Sequence, residues 1–376
     1  MIFDNSALFV SNLNLTNFRN YESTNINIGE NSVIITGNNG VGKTNILEAI
    51  SLLTPGSGIR RATTKDFIKH NSNGIWGVSA ECNTMVGKTS IGTGFNEKTP
   101  NRRAVKINGV FTNQNALSNY LSCIFLTPQM DRLWIENPSN RRKFIDRIIF
   151  GYDPAHSGRI SAYEKSLKNR SNALKNGIHD DIWLSAMEKD IANRGVAIAS
   201  SRINIIERLN EFISKSLKTF PSAILKCEGI IENWLNDFSA SDTEDKFIQN
   251  LKSSRSQDTI TGGAEIGVHK SDIIAINLEK NIPANLCSTG EQKSLLIRII
   301  LGNLQMQKLD TGLMPILLLD EVSAHLDNEK LTALLENITE LNPQVWYTAT
   351  EYKKIGKVNK NLLHFYVEKN MVNPYT

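Results

Sequence analysis

The spacing of apolar residues divides the chain into three textures. In the first forty residues, ALFVSNLNLTNF and NINIGENSVIITG are rich in β-branched residues and alternate in places, which predicts strands. NILEAISLL, residues 45–53, predicts a helix, and residues 75–126 return to strand spacing with Gly and Asn at the turns. The segments RRKFIDRIIFGYD, ISAYEKSLKNRSNALKNG and IWLSAMEKDIANRGVAIASSRINIIERLNEFISKSLKTF then show helical apolar spacing with charges on the opposite face. No heptad is sustained, so this block does not predict a long coiled-coil arm. Strand and turn character resumes near Thr259. MPILLLDEV is a continuous apolar run of the kind buried on both faces of a parallel sheet, and PQVWYTAT is another strand. The expected organisation is an α/β lobe split in sequence, 1–127 and 257–376, with a mainly helical second lobe, 128–256, inserted in it.

Composition narrows the class. The 376 residues suffice for one large domain or two ordinary ones, and 40% hydrophobic with 21% charged residues is the balance of a soluble globular protein. No apolar run reaches the length of a membrane span. MIFDNSALFVSNLNL has no basic region ahead of an apolar core, so no secretory signal is expected. Cys82, Cys123, Cys227 and Cys287 lie far apart, form no CxxC pair and have no clustered histidines, which argues against a disulfide framework or zinc site and for a reducing, cytoplasmic setting. A net charge of +4 permits a polyanionic partner without requiring one.

Chemistry enters at GNNGVGKT, which fits G-x-x-x-x-G-K-[ST] between the strand SVIIT and the helix NILEAI. Gly37, Asn38, Asn39, Gly40, Val41 and Gly42 can curl backbone N–H groups round a phosphate chain. Lys43 reaches the terminal phosphates, the Thr44 hydroxyl can ligate Mg²⁺, and Asn45 follows in the helix. The alternative, an ordinary Gly-rich turn, needs a chance match on the order of one per cent in a chain of this length. MPILLLDEV supplies the complementary strand: Asp320 at its end would face the metal, and Glu321 is placed to orient or deprotonate a water. A second acid there favours hydrolysis over phosphate transfer to a metabolite; the alternative is a buried strand ending in two solvated acids. NLCSTGEQKSLLIR, residues 285–298, puts the turn formers Ser288, Thr289 and Gly290 ahead of an apolar helical stripe. That is a helix N-terminus, which attracts anions, in a chain that already has one phosphate loop.

The order P-loop, S-x-G-[EQ]-Q turn, strand ending in DE, then SAHLD resembles the ATP-binding cassette superfamily. Within it, LNLTNFRNYES, ITGNNGVGKTNILEAISLL, GSGIRRATTKDFI, FLTPQMDRLWIENPSNRRKFIDRIIF, CSTGEQKSLLIRIILGNLQ and PILLLDEVSAHLD are similar to the RecF family of recombination and gap-repair ATPases, from about residue 10 to residue 350. The fold this implies is a P-loop NTPase of the ABC-ATPase head type, a mixed sheet with helices. The implied cofactors are ATP and Mg²⁺. Residues 37–45 would hold the nucleotide, with Thr44, Gln129 and Asp320 at the metal and Glu321, Lys43 and Gln129 serving catalysis. Ser288, Gly290, Glu291 and Gln292 would cap the γ-phosphate held by a second copy, and Asp327 would lie at the dimer seam. Arg19, with Arg60 or Arg61, would lie near the nucleotide. The implied activity is slow, DNA-stimulated ATP hydrolysis governing a homodimer that clamps duplex DNA near single-strand gaps, with RecO and RecR as partners and RecA loading as the outcome.

Two departures stand out. The family's G-P-H-R-[DE]-D stretch is replaced by GVHKSD, residues 267–272, with Lys270 for Arg; and where many cassette ATPases carry a switch histidine, WYTATEYKK offers Thr348 or Thr350. Candidate DNA contacts are Arg102, Arg103 and Lys106; Arg141, Arg142 and Lys143; and Lys165, Lys168, Arg170 and Lys175, each of which could equally be a solvated face. Trp134, Trp76, Trp183, Trp234 and Trp346 read as packing residues. Rival readings are a nucleotide-gated protein-interaction module that does not grip DNA and a transporter ATPase, which the long helical insert disfavours.

Overall fold

The computed structural model describes residues 8–375 except 61, 73, 96–102, 178–179, 216, 218, 325 and 357–361. The chain divides into two compact units, one of residues 1–131, 218–220 and 296–376, the other of 132–217 and 221–295.

The first unit is built on two six-stranded sheets. In the strand Phe9–Phe18, Val10, Leu13, Leu15 and Phe18 are buried, and a register shift after Val10 and a positive φ at Asn17 interrupt the period of two between them. It pairs antiparallel with Tyr21–Asn27 and Gly77–Thr84, and the sheet continues through Gly87–Phe95, Arg103–Ile107 and Val110–Thr112. The second sheet runs in the order Met371–Pro374, Leu362–Glu368, Ser32–Thr36, Val345–Ala349, Ile316–Leu319, Cys123–Leu126. All neighbours in it are parallel except the first pair. Its central strands are apolar without alternation because both faces are covered: Ile34, Ile35, Leu317, Leu318, Trp346 and Tyr347 are fully buried. The helix Lys43–Ser51 packs on strands of both sheets, so Ile46, Leu47, Ala49 and Ile50 are all buried in one shared core. Burial of each larger side chain contributes about 1.5–3 kcal/mol. This ties the helix that follows the glycine loop to the sheet that precedes it.

The second unit is mainly helical. Its helices are Pro138–Phe150, Ala155–Lys175, Asp181–Ile213, Ile230–Asp237, Ala240–Ser253 and Arg255–Thr261. Tyr163, Ile191, Val196, Phe247 and Leu251 form its core. The structure departs from the expected boundary at 257. A small antiparallel sheet, Ile282–Pro283, Asp272–Asn277 and Ala223–Glu228, belongs to this unit. The strand character after Thr259 therefore completes the helical lobe rather than resuming the head, because Asp272–Asn277 takes its ladder partner from Ala223–Glu228. That partner lies in a stretch read as helical. Trp76, Trp134 and Trp346 are buried and Trp234 is half-buried, but Trp183 is 45% exposed, near the start of its helix.

Two ion clusters are buried in this lobe. Arg170, 1% exposed, donates to Glu188 Oε1 at 3.0 Å, Asp258 Oδ2 at 2.6 Å and the Leu251 carbonyl at 2.5 Å. Arg202 makes two 2.8 Å bonds to Asp146, which also pairs with His156 at 3.0 Å.

Candidate nucleotide-binding site

The parallel strands Ser32–Thr36, Val345–Ala349, Ile316–Leu319 and Cys123–Leu126 end on one edge of their sheet, the edge at which open α/β sheets bind ligands. The glycine loop leaves the first of them. Gly42 has φ 108°, and a Cβ there would fall 2.3 Å from Asn20 Nδ2, so only glycine fits. Gly37 and Gly40 are also at positive φ, a backbone path that forms anion-binding concavities. Lys43, 4% exposed, donates to the carbonyls of Gly37 and Asn38 at 2.8 and 3.0 Å, and its Nζ lies 3.2 Å from Glu321 Oε1. The turn between the first two strands braces the loop from outside. Asn20 donates to the Val41 carbonyl at 2.9 Å and accepts from Asn45 at 2.6 Å, and the Tyr21 hydroxyl donates to the Gly42 carbonyl at 3.1 Å. No motif marks Asn20 or Tyr21, although both sit in the run FRNY, residues 18–21.

Asp320 and Glu321 sit at the end of Ile316–Leu319. Asp320 is buried, and its Oδ1 accepts from Thr44 Oγ1 at 2.8 Å and from Thr348 Oγ1 at 2.7 Å. Glu321 adopts φ 50°, uncommon for a residue with a Cβ, and its amide donates to Thr348 Oγ1 at 2.9 Å. Of the two threonines singled out, Thr348 thus meets the acid pair, while Thr350 is exposed. A hydroxyl and a carboxylate at this spacing are hard oxygen donors, the set that suits Mg²⁺ beside a phosphate chain. Gln129 is exposed in the turn Pro128–Arg132 after Cys123–Leu126.

Arg19 forms a two-point pair with the fully buried Glu48 of the P-loop helix, both bonds 2.8 Å, and stacks over Phe67. Arg60 donates to Asn45 Oδ1 at 2.6 Å and lies 3.6 Å from Glu48. Both arginines therefore brace the helix that carries Lys43 and Thr44. Arg61 and His325 lie outside the described residues. Asp327 caps the helix Asn328–Leu341, accepting from the Lys330 amide at 2.8 Å, a bond that holds its carboxyl below the usual range.

In the second unit, Ser288, Thr289 and Gly290 are exposed at the start of the helix Thr289–Thr311. Ser288 and Glu291 exchange the reciprocal bonds of a capping box: the Ser288 amide and hydroxyl donate to Glu291 Oε2 at 3.0 and 2.9 Å, and the Glu291 amide returns to Ser288 Oγ at 3.4 Å. Lys280, which no motif pointed to, pairs with Glu291 at 2.5 Å. That pairing, with the Ser288 bonds, holds the Glu291 carboxyl down at about 2. Gln292 is buried and donates to the Cys287 carbonyl at 2.9 Å. In the departing GVHKSD stretch, Lys270 is exposed while Ser271 and Asp272 are engaged, by Glu232 and Arg141 respectively.

The basic clusters sort differently from the expectation. Arg141 is buried and bound to Asp272 at 2.7 and 2.8 Å, Arg142 donates to the Ser271 carbonyl, and Arg170 lies in the buried cluster above. Arg103 is spent on the carbonyls of Leu52, Thr54 and Gly56. These four are structural cations, each donating to acceptors of its own unit. Lys106, Lys143, Lys165, Lys168 and Lys175 are exposed, and Arg102 lies outside the described residues.

The RecF/RecN/SMC N-terminal domain family matches residues 9–373. The DNA replication and repair protein RecF of Mesorhizobium japonicum is 39% identical over 347 residues, 91% of each chain, and that of Rickettsia felis is 38% identical over 348 residues, 93% of this chain and 95% of the relative. A solved structure of the recombination mediator protein RecF with ATP, in the RecFOR pathway, aligns with a TM-score of 0.84 at 23% identity over 99% of this chain and 98% of that one. An Smc head domain from Pyrococcus furiosus, with an extended coiled coil and bound to the C-terminal domain of ScpA, aligns at 0.57 and 16% identity over 98% and 96%. At these identities the two structures speak for the fold, an ABC-type ATPase head with mixed sheets and helices.

Proposed function

The chain belongs to the RecF family of DNA replication and repair proteins, and from that premise we propose that it is an ATP-dependent DNA-binding protein of recombinational and replication-gap repair. The observation that carries the reading is the convergence of Lys43, Thr44, Asp320 and Glu321 at one strand edge, with Lys43 3.2 Å from Glu321 and Thr44 2.8 Å from Asp320. Lys43 and the amides of residues 37–42 hold the phosphate chain of ATP. Thr44, Asp320 and Gln129 would hold Mg²⁺, which when bound supplies positive charge to the phosphate oxygens. Glu321 orients a water and takes its proton as the water oxygen attacks the γ-phosphorus. The bond to the bridging oxygen then breaks, and ADP leaves with the bonding pair.

Ser288 and Gly290, on the turn that Glu291 and Gln292 hold in place, cap the γ-phosphate on a second copy, and Asp327 lies at that seam. One feature supports this assignment: a Cβ at Gly290 would meet no described atom of this chain within 4 Å, and its φ is not positive, so nothing internal calls for glycine there. ATP closes two heads into a homodimer that clamps duplex DNA beside a single-strand gap, and hydrolysis, slow and stimulated by DNA, releases it. RecO and RecR act with the clamp to load RecA; the RecFOR setting of the solved RecF structure supports this. The internal engagement of Arg103, Arg141, Arg142 and Arg170 favours a second reading, a nucleotide-gated interaction module that recruits protein without gripping DNA.

Light scattering of Glu321→Gln with Mg-ATP, with and without a gapped duplex, tests both. A mass doubling that needs ATP, followed by a further complex with DNA, is expected. A dimer that ignores DNA leaves the interaction module, and a monomer throughout overturns both readings.

A further inference from the structure

We propose that Thr348 is the positioning residue that sets Asp320 and Glu321 for hydrolysis; this rests on the hydrolytic reading above. Thr348 lies in the strand Val345–Ala349, between the P-loop strand and the strand that ends in the acid pair, and is 0% exposed. A backbone N–H can only donate and an ionised carboxylate can only accept. The direction of both bonds at its hydroxyl is therefore fixed: Oγ1 accepts from the Glu321 amide at 2.9 Å and donates to Asp320 Oδ1 at 2.7 Å. The same Oδ1 accepts from Thr44 Oγ1 at 2.8 Å, so one chain of bonds runs from Thr348 through Asp320 to the P-loop helix.

The Glu321 amide also donates to the Thr348 carbonyl at 3.2 Å. Thr348 thus grips from two sides a residue held at φ 50°, a conformation that persists only where its surroundings over-determine it. This turned backbone brings the Glu321 carboxylate to Lys43. Packing alone does not explain a hydroxyl here, since valine has nearly the same shape and suits a buried strand at least as well. What valine lacks is the pair of bonds that orients the metal-side acid and the water-side acid together.

Thr348→Val and Thr348→Ser test this. Loss of hydrogen bonds to a charged group predicts a roughly 10- to 100-fold lower kcat for the valine variant. Its KM for ATP stays within about threefold, because the loop that holds the phosphates is untouched. The Mg²⁺ concentration for half-maximal rate should rise, and serine should restore kcat to within about fivefold, reasoning from the same bonds. A merely structural role would move the melting temperature of both variants and leave the kcat–KM split and the Mg²⁺ requirement alone. Hydrogen exchange of the Glu321 amide, in protein free of nucleotide and metal, reads the geometry without turnover: it should quicken in Thr348→Val and stay slow in Thr348→Ser. A valine variant with wild-type kcat and a protected amide overturns the proposal, as does a serine variant as slow as valine. A wild type that hydrolyses no ATP would sink the hydrolytic reading instead, and amide exchange would still decide whether Thr348 holds Glu321.

Discussion

Replacing Arg170 by alanine separates a surface role from a structural one. The guanidinium is 1% exposed and bonds Glu188, Asp258 and the Leu251 carbonyl. The two carboxylates would fare differently without it. Glu188 keeps Arg255, which bonds it at 2.9 and 2.6 Å. Asp258 keeps Ser254 Oγ at 2.8 Å, and its Oδ1 has no hydrogen-bond partner among the described residues. The substitution therefore leaves one carboxylate buried with a single donor, while the Leu251 carbonyl keeps Ser254 Oγ at 3.3 Å. Breaking a buried ion pair costs about 3–5 kcal/mol, and the surviving Arg255–Glu188 pair places the expectation at the lower end, about 3 kcal/mol. In a lobe of this size that is a fall in melting temperature of roughly 6–12 °C. Lys168→Ala, two residues away on the exposed face, should change stability by less than about 0.5 kcal/mol. Thermal unfolding of both variants, alongside duplex binding at two salt concentrations, makes the comparison. If Arg170→Ala melted like the wild type and lost salt-sensitive DNA affinity, the internal assignment of Arg170 would be wrong.

Two further outcomes follow from the same lobe. Ser288→Arg removes a helix cap, at a cost of about 1 kcal/mol, and should leave ATP binding intact while abolishing ATP-driven dimerisation and hydrolysis; a variant that hydrolyses at the wild-type rate refutes the trans role of the turn. Burial alone would raise the Asp146 carboxyl, but Arg202 and His156 outweigh it and hold it down at about 2, below its value near 4 in an unfolded chain. The folded state thus binds this proton less readily, so the stabilisation is full above about pH 4 and is lost as pH falls towards 2. Denaturant titrations between pH 5 and pH 2 should show a decline of about 2 kcal/mol from this group, and a smaller one in Asp146→Asn; equal slopes would remove Asp146 from the account.

The legible parts of the sequence were those where chemistry forces contiguity. Residues 37–44 must be adjacent to wrap a phosphate, and Ile316–Leu319 must be apolar throughout because both its faces are covered. The lobe boundary was not legible, because Ala223–Glu228 is a short run between helices whose only justification is a partner strand some fifty residues later. Nor did local sequence separate Arg170 from Lys168. Both fall on one polar stretch of helix, and only Glu188 and Asp258, packed from elsewhere in the lobe, claim the arginine. Asn20, Tyr21 and Lys280 were missed for a related reason: a polar side chain in a turn carries no signal of what stands across from it. Thr348 and Thr350 read equally well as substitutes for a histidine, and what separates them, the grip of Thr348 on the Glu321 amide, depends on strand neighbours that are distant in sequence.

The order of strands in the parallel sheet also sets a timetable. Ser32–Thr36 lies between Leu362–Glu368 and Val345–Ala349, both made more than three hundred residues later. At about 5–20 residues per second, that is a wait of roughly 15–65 s on the ribosome for the strand that launches the glycine loop. Most of the helical lobe emerges in between and can pack while the early strands lack their neighbours. A nascent chain can therefore display the whole GNNGVGKT run and still have no sheet edge to hold it, so nucleotide capture waits until Val345–Ala349 and Leu362–Glu368 have been made.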